Sequence, residues 1–546
     1  MEITDRADGV FLWVFLVIRE MRNGLTNNDN LSDLWKRLEA LPTDLERFFR
    51  HILMSVEDIY HEKMASTLLI TSACESPLED VIYLLHEEEY EDAHYAINTP
   101  IESYYLETPP ATRINALSKG LLELRPRQRH YANGESVEQM LVEFLHRTVR
   151  DFLRTREMAM FLEEKRKRSF LTYRSIFKAH LALIKHTRFT GEIDEAVFML
   201  GFDCGNAHSL AEDAIVSALR YASLAMDEDE EETIELLDDL EWSLHIKATT
   251  GKLNFLDAED KEALIERTAV FFRQYLLFLD LPGYISRKLS FERDYFSSVP
   301  HALLHVLSGV TPRPPLFPRS HGQMLTPKKA QTVQILLSNG HCPNGAEEVH
   351  SSHGGDARTT PWTVLLSGFG DFRIGQCFPN TRDAVFEDTC EASFISCLDL
   401  GLFTLLLEHG ADPNAHIMAA GRALPAWVEF CIFSLRFPRL FEHGERFLYD
   451  LDKFIALGAK AVVPSLEARA PGQGSMSEAF KKFAVPGTPR WRFSQAVLQR
   501  AAAIEPRITG WLGLFPESLT GVSRDETCSG DAETTSCSDS ALISVS

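Results

Sequence analysis

No Gly-x-x-x-x-Gly-Lys-Ser/Thr stretch occurs anywhere in the chain. That removes the P-loop, with the lysine and hydroxyl that hold a magnesium-bound triphosphate. A Gly-x-Ser-x-Gly nucleophile elbow is missing too. Cysteine is scarce, nine in 546 residues, and its spacings do not repeat. An odd, scattered set builds no disulfide framework and fits a reducing cytosol. Positive charge is in deficit, with 55 basic side chains against 79 acidic ones and a net charge of −24. Such a balance repels a phosphate backbone and argues against nucleic acid as a general partner. The opening residues lack the basic-then-apolar order of a signal peptide, and the apolar run over residues 10–18 is too short to span a bilayer. The expectation is a soluble, cytoplasmic protein with no membrane partner.

The usual metal and catalytic constellations are thin as well. His301 and His305 share a helix face but lack the glutamate of a zinc protease. His341, Cys342, His350, His353 and Cys377 are near in sequence at spacings that match no standard zinc site, and Cys390 with Cys397 does no better. Asp92 and His94 have no evident nucleophile. We expect no enzyme, no metal and no cofactor of the chain's own.

What is present is helical patterning around one short strand-to-helix junction. At 45% hydrophobic residues, the length allows two to four domains, each with a sizeable core. Residues 10–21 read as a helix apolar almost all round, to be buried on several sides. Thr43 with Glu46, and Pro77 with Glu79, read as helix starts. Leu45, Phe48, Phe49, Ile52, Leu53, Val56 and Ile59 follow the first at helical spacing. The acidic residues 87–92 read as a solvated helix end. Residues 113–118 read as a helix, and 120–124 and 141–146 as two strands around a polar loop, 125–138. Then Thr148, three residues before Asp151, reads as a cap for a helix through Phe152 and Leu153. His146 therefore falls at the junction, where free N–H groups favour an anion. The alternative is a histidine wedged at a domain seam with its hydrogen bonds satisfied.

The run FLHRTVRDFL over residues 144–153 resembles the motif that closes the winged-helix part of NACHT-type signalling ATPases, the fungal relatives of NLR immune receptors (STAND proteins). Residues 6–14, RADGVFLWV, resemble the helix that ends the nucleotide-binding core of those proteins. Residues 31–46 and 113–124 resemble further blocks, with Ser118 where a cysteine is common. The resemblance covers about residues 5–153 and implies several things. The chain is the back half of such a receptor, with the core expected before residue 1. His146 would contact the terminal phosphate of bound ADP and hold a closed state. Asp151 would cap the helix, and Phe152 and Leu153 would be core. A winged helix also raises DNA binding, but one basic loop, 125–130, stands against the −24 charge.

Beyond residue 155 the pattern is helical to about 310. The charge run 163–168 reads as a solvated helix face or a nuclear localisation patch, and the acidic run 227–232 as a cap or lead-in to a helix over 233–240. Phe271, Phe272, Tyr275, Leu276, Phe278 and Leu279 read as a core stripe. Residues 311–318 hold four prolines and read as a linker. After it the chain repeats itself. Residues 332–344 align with 402–414, ending in Gly340…Pro343-Asn344 and Gly410…Pro413-Asn414, with a weaker copy at Gly458. Such a glycine ends a helix with φ above zero, and the following residues turn into the next unit, the logic of an ankyrin repeat. Thr360-Pro361-Trp362 resembles the opening of an ankyrin helix.

The expected fold is mainly α: a winged-helix module, a helical spacer and a degenerate ankyrin-like α-solenoid. The divisions are 1–25, a residual helix of a NACHT core; 26–155, a winged-helix-like regulatory domain; 156–310, the spacer; 311–326, the proline-rich linker. They continue with 327–463, degenerate repeats; 464–519, partly helical; and 520–546, a disordered tail. The expected function is the non-catalytic, regulatory and protein-interaction part of a fungal NACHT/NLR-like signalling protein. Its partners would be other proteins on the ankyrin-like surface and a separate or missing nucleotide-binding core. The alternative is a constitutive ankyrin-type scaffold with no nucleotide-linked switch.

Overall fold

Helix-period patterning dominates the chain, and the fold that results is mainly helical. The computed structural model describes residues 10–74, 77–101, 111–130, 136–187, 210–253, 260–279, 281–299, 302–308, 325–345, 360–370, 384–419, 422–437, 439–460 and 487–504. They divide into two units, Met1–Ala411 and Asp412–Ser546. The proline-rich run 311–318, the tail 520–546, residues 1–9, His301, His350, His353 and Cys377 lie outside the described residues. Among the described residues, no single helix is long and apolar enough to cross a membrane.

The first unit opens with α1 (Phe11–Thr26), α2 (Leu31–Ala40), α3 (Leu45–Met54) and α4 (His61–Ala73). Only one side of α1 is covered: Trp13, Leu16 and Val17 are buried, whereas Phe11, Phe15 and Ile18 are exposed. This corrects the expectation of burial on several sides. Trp13 Nε1 donates to the Pro42 carbonyl at 2.7 Å, and Arg19 to that of Gly120 at 2.9 Å. The cap of α3 is Asp44, whose carboxylate accepts from the Arg47 N–H at 2.9 Å, and not Thr43. Phe48, Phe49, Ile52, Leu53 and Val56 are buried as their spacing predicts, but α3 stops at Met54 and Ile59 is exposed.

Next come β1 (Leu78–Glu79), α5 (Asp80–Glu88), α6 (Tyr95–Asn98), α7 (Ala111–Ser118), β2 (Leu122–His130) and β3 (Ser136–Phe144). The expected helix start at Pro77 and Glu79 is instead a short strand, because Leu78 and Glu79 pair with Val142 and Leu141. Glu87 is no solvated helix end either. It is buried, accepts from Tyr83 Oη at 2.6 Å and pairs with Arg113 at 2.6 Å. The three strands form an antiparallel sheet in the order β1-β3-β2. The ribbon is longer than its apolar base: Arg125 to His130 pair with Leu141 to Ser136, so the polar stretch read as a loop is largely strand.

The chain continues through α8 (Arg147–Leu153), α9 (Arg156–Lys165), α10 (Thr172–His186), α11 (Leu210–Ala225), α12 (Glu230–Thr249), α13 (Lys261–Phe278), α14 (Pro282–Phe291) and α15 (Ala302–Ser308). In α10 every residue from Arg174 to Lys185 is buried, since the helix packs on α4, α5, α6, α11 and α12. A helix buried all round is ordinarily apolar. This one carries Arg174, Lys178 and Lys185; the acidic start of α12 supplies partners for the first two, and Asp239, further along the same helix, pairs with the third. The aromatic stripe of α13 is core, with Phe272 and Leu276 fully buried. The unit closes with α16 (Pro327–Ser338), α17 (Pro361–Gly370), α18 (Ala384–Asp399) and α19 (Leu402–Glu408).

In the second unit, β4 (His416–Ala419) and β5 (Arg422–Pro425) form a hairpin, followed by α20 (Ala426–Arg436), α21 (Gly444–Ala456) and α22 (Pro489–Ile504). Its core is aromatic. Phe430 stacks on Phe447 at 4.5 Å, with Phe454 and Phe493 beside them.

Candidate functional site

The junction singled out in the sequence is formed as strand, bend and helix. Leu122 opposes Phe144, the last residue of β3, and the Leu145 N–H donates to the Leu121 carbonyl at 2.9 Å, so that Leu145 and His146 form the bend before α8. Val149, Phe152 and Leu153 anchor α8 by burial, Phe152 lying 5.4 Å from the Phe49 ring. The N-cap is His146 itself: its Nδ1 accepts from the Thr148 N–H at 3.3 Å and meets Thr148 Oγ1 at 3.0 Å. Thr148 and Asp151 are therefore not the cap pair; Asp151 is exposed. Accepting through Nδ1 leaves the ring hydrogen on Nε2, and the side chain is exposed. Arg125 donates to the Leu145 carbonyl at 3.1 Å and so stands next to the junction. Ser118 ties the end of α7 to β2: its hydroxyl donates to Ile114 O at 2.8 Å and accepts from Leu122 N–H at 3.2 Å.

The second candidate is the repeated turn. In the first unit Gly340 and Gly410 have φ of +94° and +93°, and in the second Gly458 has +96°. Each ends its helix in the same way. The glycine N–H reaches back three residues, to Leu337, Leu407 and Ile455, and the next N–H reaches back five, to Leu336, Leu406 and Phe454. That is a Schellman cap at all three. The asparagines four residues after two of these glycines bridge to a further turn. Asn344 donates to the Gly410 carbonyl at 2.5 Å in the first unit. In the second, Asn414 donates to the Gly458 carbonyl at 3.0 Å and accepts from Lys460 N–H at 2.7 Å. Trp362 N–H donates to Pro343 O and Trp427 N–H to Pro413 O, at 3.0 and 3.1 Å, and both indoles are fully buried. Thr360 and Thr363 cap α17 reciprocally.

The remaining candidates do not assemble. Among the described residues no group of three or more metal-ligating side chains occurs. Cys390 and Cys397 are buried thiols, and burial pushes the Cys397 thiol well up. Asp92 accepts from the His94 N–H and Asn98, bonds that hold its carboxyl below the usual range and close a turn.

Sequence reasoning missed a buried ionic seam. Arg174 pairs with Asp229 at 2.9 Å and with Glu232, Lys178 with Glu232 at 2.5 Å, and Lys185 with Asp239 at 2.5 Å. Lys178 and Lys185 also donate to the carbonyls of Ala93, Ala96 and Ile97. The available signal was the set of cations at i, i+4 and i+11 in an otherwise apolar helix; the first two pair within the acidic run 227–232, whereas the partner of Lys185, Asp239, lies beyond it.

A family described as a domain of unknown function, DUF7791, matches residues 55–194. The matched stretch holds the sheet, the His146 junction and α10. No curated protein and no solved structure matches the chain.

Proposed function

We propose that the chain is the regulatory and protein-interaction part of a NACHT/NLR-like signalling protein of fungal type, cytoplasmic and without catalysis of its own. In this reading residues 26–155 act as a winged-helix module, residues 156–310 as a spacer, and residues 327–463 as a degenerate ankyrin-like solenoid that binds proteins. The observation that carries it is the threefold Schellman turn, with asparagines bridging to a further turn glycine in each unit. Repeats joined only to their neighbours present an extended binding surface. The helices followed by the β2–β3 ribbon support the regulatory half.

His146 is then the residue that would read a nucleotide phosphate once the chain meets a nucleotide-binding core, through its Nε2–H. In a fusion to a related core, His146→Ala should weaken ADP about ten- to a hundredfold, the roughly 1.5–3 kcal/mol of a charge-assisted hydrogen bond. An unchanged dissociation constant removes the switch. That outcome would favour the second reading, a constitutive scaffold, for which the observation is that His146 already caps its own helix. In either reading the purified chain should release no phosphate from ATP. Magnesium-dependent hydrolysis abolished by a point substitution in this chain would contradict both.

A further inference from the structure

Helix α14 ends at Phe291, and the chain then runs through turns to Tyr295. Leu289 and Tyr295 are buried, and the five residues between them, Ser290, Phe291, Glu292, Arg293 and Asp294, are all exposed. Phe291 is 81% exposed. The hydroxyl of Ser290 donates to the Arg287 carbonyl at 2.6 Å, an exposed bond that water can replace. Past Leu289 the helix end is held by its own backbone, the Glu292 N–H reaching the Lys288 carbonyl at 2.9 Å. Opening this turn from Ser290 onward uncovers no buried side chain before Tyr295. Helix ends of that kind open at little cost in free energy.

The side chains around Ser290 are ordered by kind. Arg287 stands three residues before it, exposed and without an ion pair among the described residues. Lys288 stands two before it, its Nζ held between Asp238 and Glu241 at 2.7 Å each. The apolar Phe291 follows directly. Two cations before an accessible hydroxyl and an open phenyl ring after it are complementary to an enzyme cleft with acidic subsites on one side and an apolar pocket on the other. Charge patterns of this kind decide which kinase takes a substrate.

Two other serines follow an arginine at the same distance and lack these features. Before Ser169, Arg166 is tied to Glu163 and to the Phe170 carbonyl, and Phe170 itself is buried. Ser223 is half-buried and lies between buried Ala222 and half-buried Leu224.

We propose that Ser290 is a phosphorylation site for a serine/threonine kinase that selects cations before the serine and an apolar residue after it. The Ser290 oxygen attacks the γ-phosphorus of ATP. The new Oγ–P bond forms as the bond from that phosphorus to the β–γ bridging oxygen breaks; ADP leaves, and the hydroxyl proton passes to the base of the kinase. Arg287 is the cation free to meet the kinase first, since Lys288 must leave its two carboxylates.

The test is incubation of the folded full chain with ATP and the catalytic subunit of a cyclic-AMP-dependent protein kinase, followed by phosphopeptide mapping. A synthetic peptide of residues 284–296 serves as the unfolded reference. The label should map to Ser290, at a rate within about tenfold of the peptide. Arg287→Ala should slow labelling of both chain and peptide by at least about tenfold, Phe291→Ser should slow it, and Ser290→Ala should remove the label from this segment. The three variants should melt as the parent does, because all three side chains are exposed. A kinase that selects acidic residues after the serine should leave Ser290 unlabelled. Labelling of the peptide but not of the folded chain, label on Ser169 or Ser223 in place of Ser290, or an unaltered rate in Arg287→Ala overturns the proposal.

Discussion

Asp80 is 2% exposed at the start of α5, and burial raises its carboxyl to about 6. Its folded pKa lies above the unfolded value of about 3.9, so its contribution to stability is full below about pH 4 and is lost as pH rises through about 6. Asp80→Asn keeps an acceptor for the Val81 N–H and carries no charge to bury. It should stabilise the protein by roughly 1–3 kcal/mol at pH 8 and leave it unaltered at pH 4, as read by denaturant unfolding at both values. Lys185 answers a different question. Removing it leaves Asp239, whose carboxyl burial already raises, without its cation. Lys185→Ala should lose roughly 3–5 kcal/mol, and Lys185→Met combined with Asp239→Leu should regain only part of it, because the Ala96 and Ile97 carbonyls still lose their donor. If the double variant is no better than the single, the lost carbonyl bonds of Lys185, and not the unpaired Asp239, account for the destabilisation.

Among the elements, the three Schellman glycines make the plainest case. A Cβ at Gly340, Gly410 or Gly458 would meet nothing within 4 Å, so the only penalty is backbone conformation. Gly410→Ala should therefore destabilise by about 1–2 kcal/mol, and Gly410→Asn by less, because asparagine visits the left-handed region more readily. Equal losses in chemical denaturation would point to a clash instead. These turns were legible because glycine, proline and asparagine act locally. Other features were not. Thr43 and Asp44 are adjacent residues of cap type, and spacing alone could not say that Asp44 takes the Arg47 N–H. The outer half of the β2–β3 ribbon has no apolar alternation to betray it, since its pairing is set by partner strand and not by core. Glu79 joins a strand only because Leu141 lies opposite. At the candidate site the position of His146 could be read from the strand-to-helix pattern. Its capping bond to Thr148 could not, since spacing alone pointed to Thr148 and Asp151.

For the molecule as a whole, the buried histidines set the acid limit. His86 and His180 are nearly inaccessible, and burial lowers them to about 3 and about 4. Both folded values lie below the unfolded 6.5, so their stability is complete above about pH 6.5 and is lost as pH falls toward 4. Two histidines outweigh the opposite trend of Asp80. The melting temperature should therefore drop between pH 7 and 5, and a flat profile would show that they are hydrated. The exposed stripe of Phe11, Phe15 and Ile18 on α1 is a separate liability. Replacing Phe11 and Phe15 by serine should reduce self-association in light scattering, because an uncovered apolar patch drives it.

The buried amines of α10, α12 and α16 have a consequence for chemical labelling. Lys178, Lys185, Lys247 and Lys329 are at most 3% exposed, and each donates to a backbone carbonyl. An amine-reactive reagent meets Lys167 at once but reaches these four only when the helices that carry them part. Pulse acylation followed by peptide mass mapping should thus time the opening of the first unit lysine by lysine, with Lys167 as the internal zero of the clock.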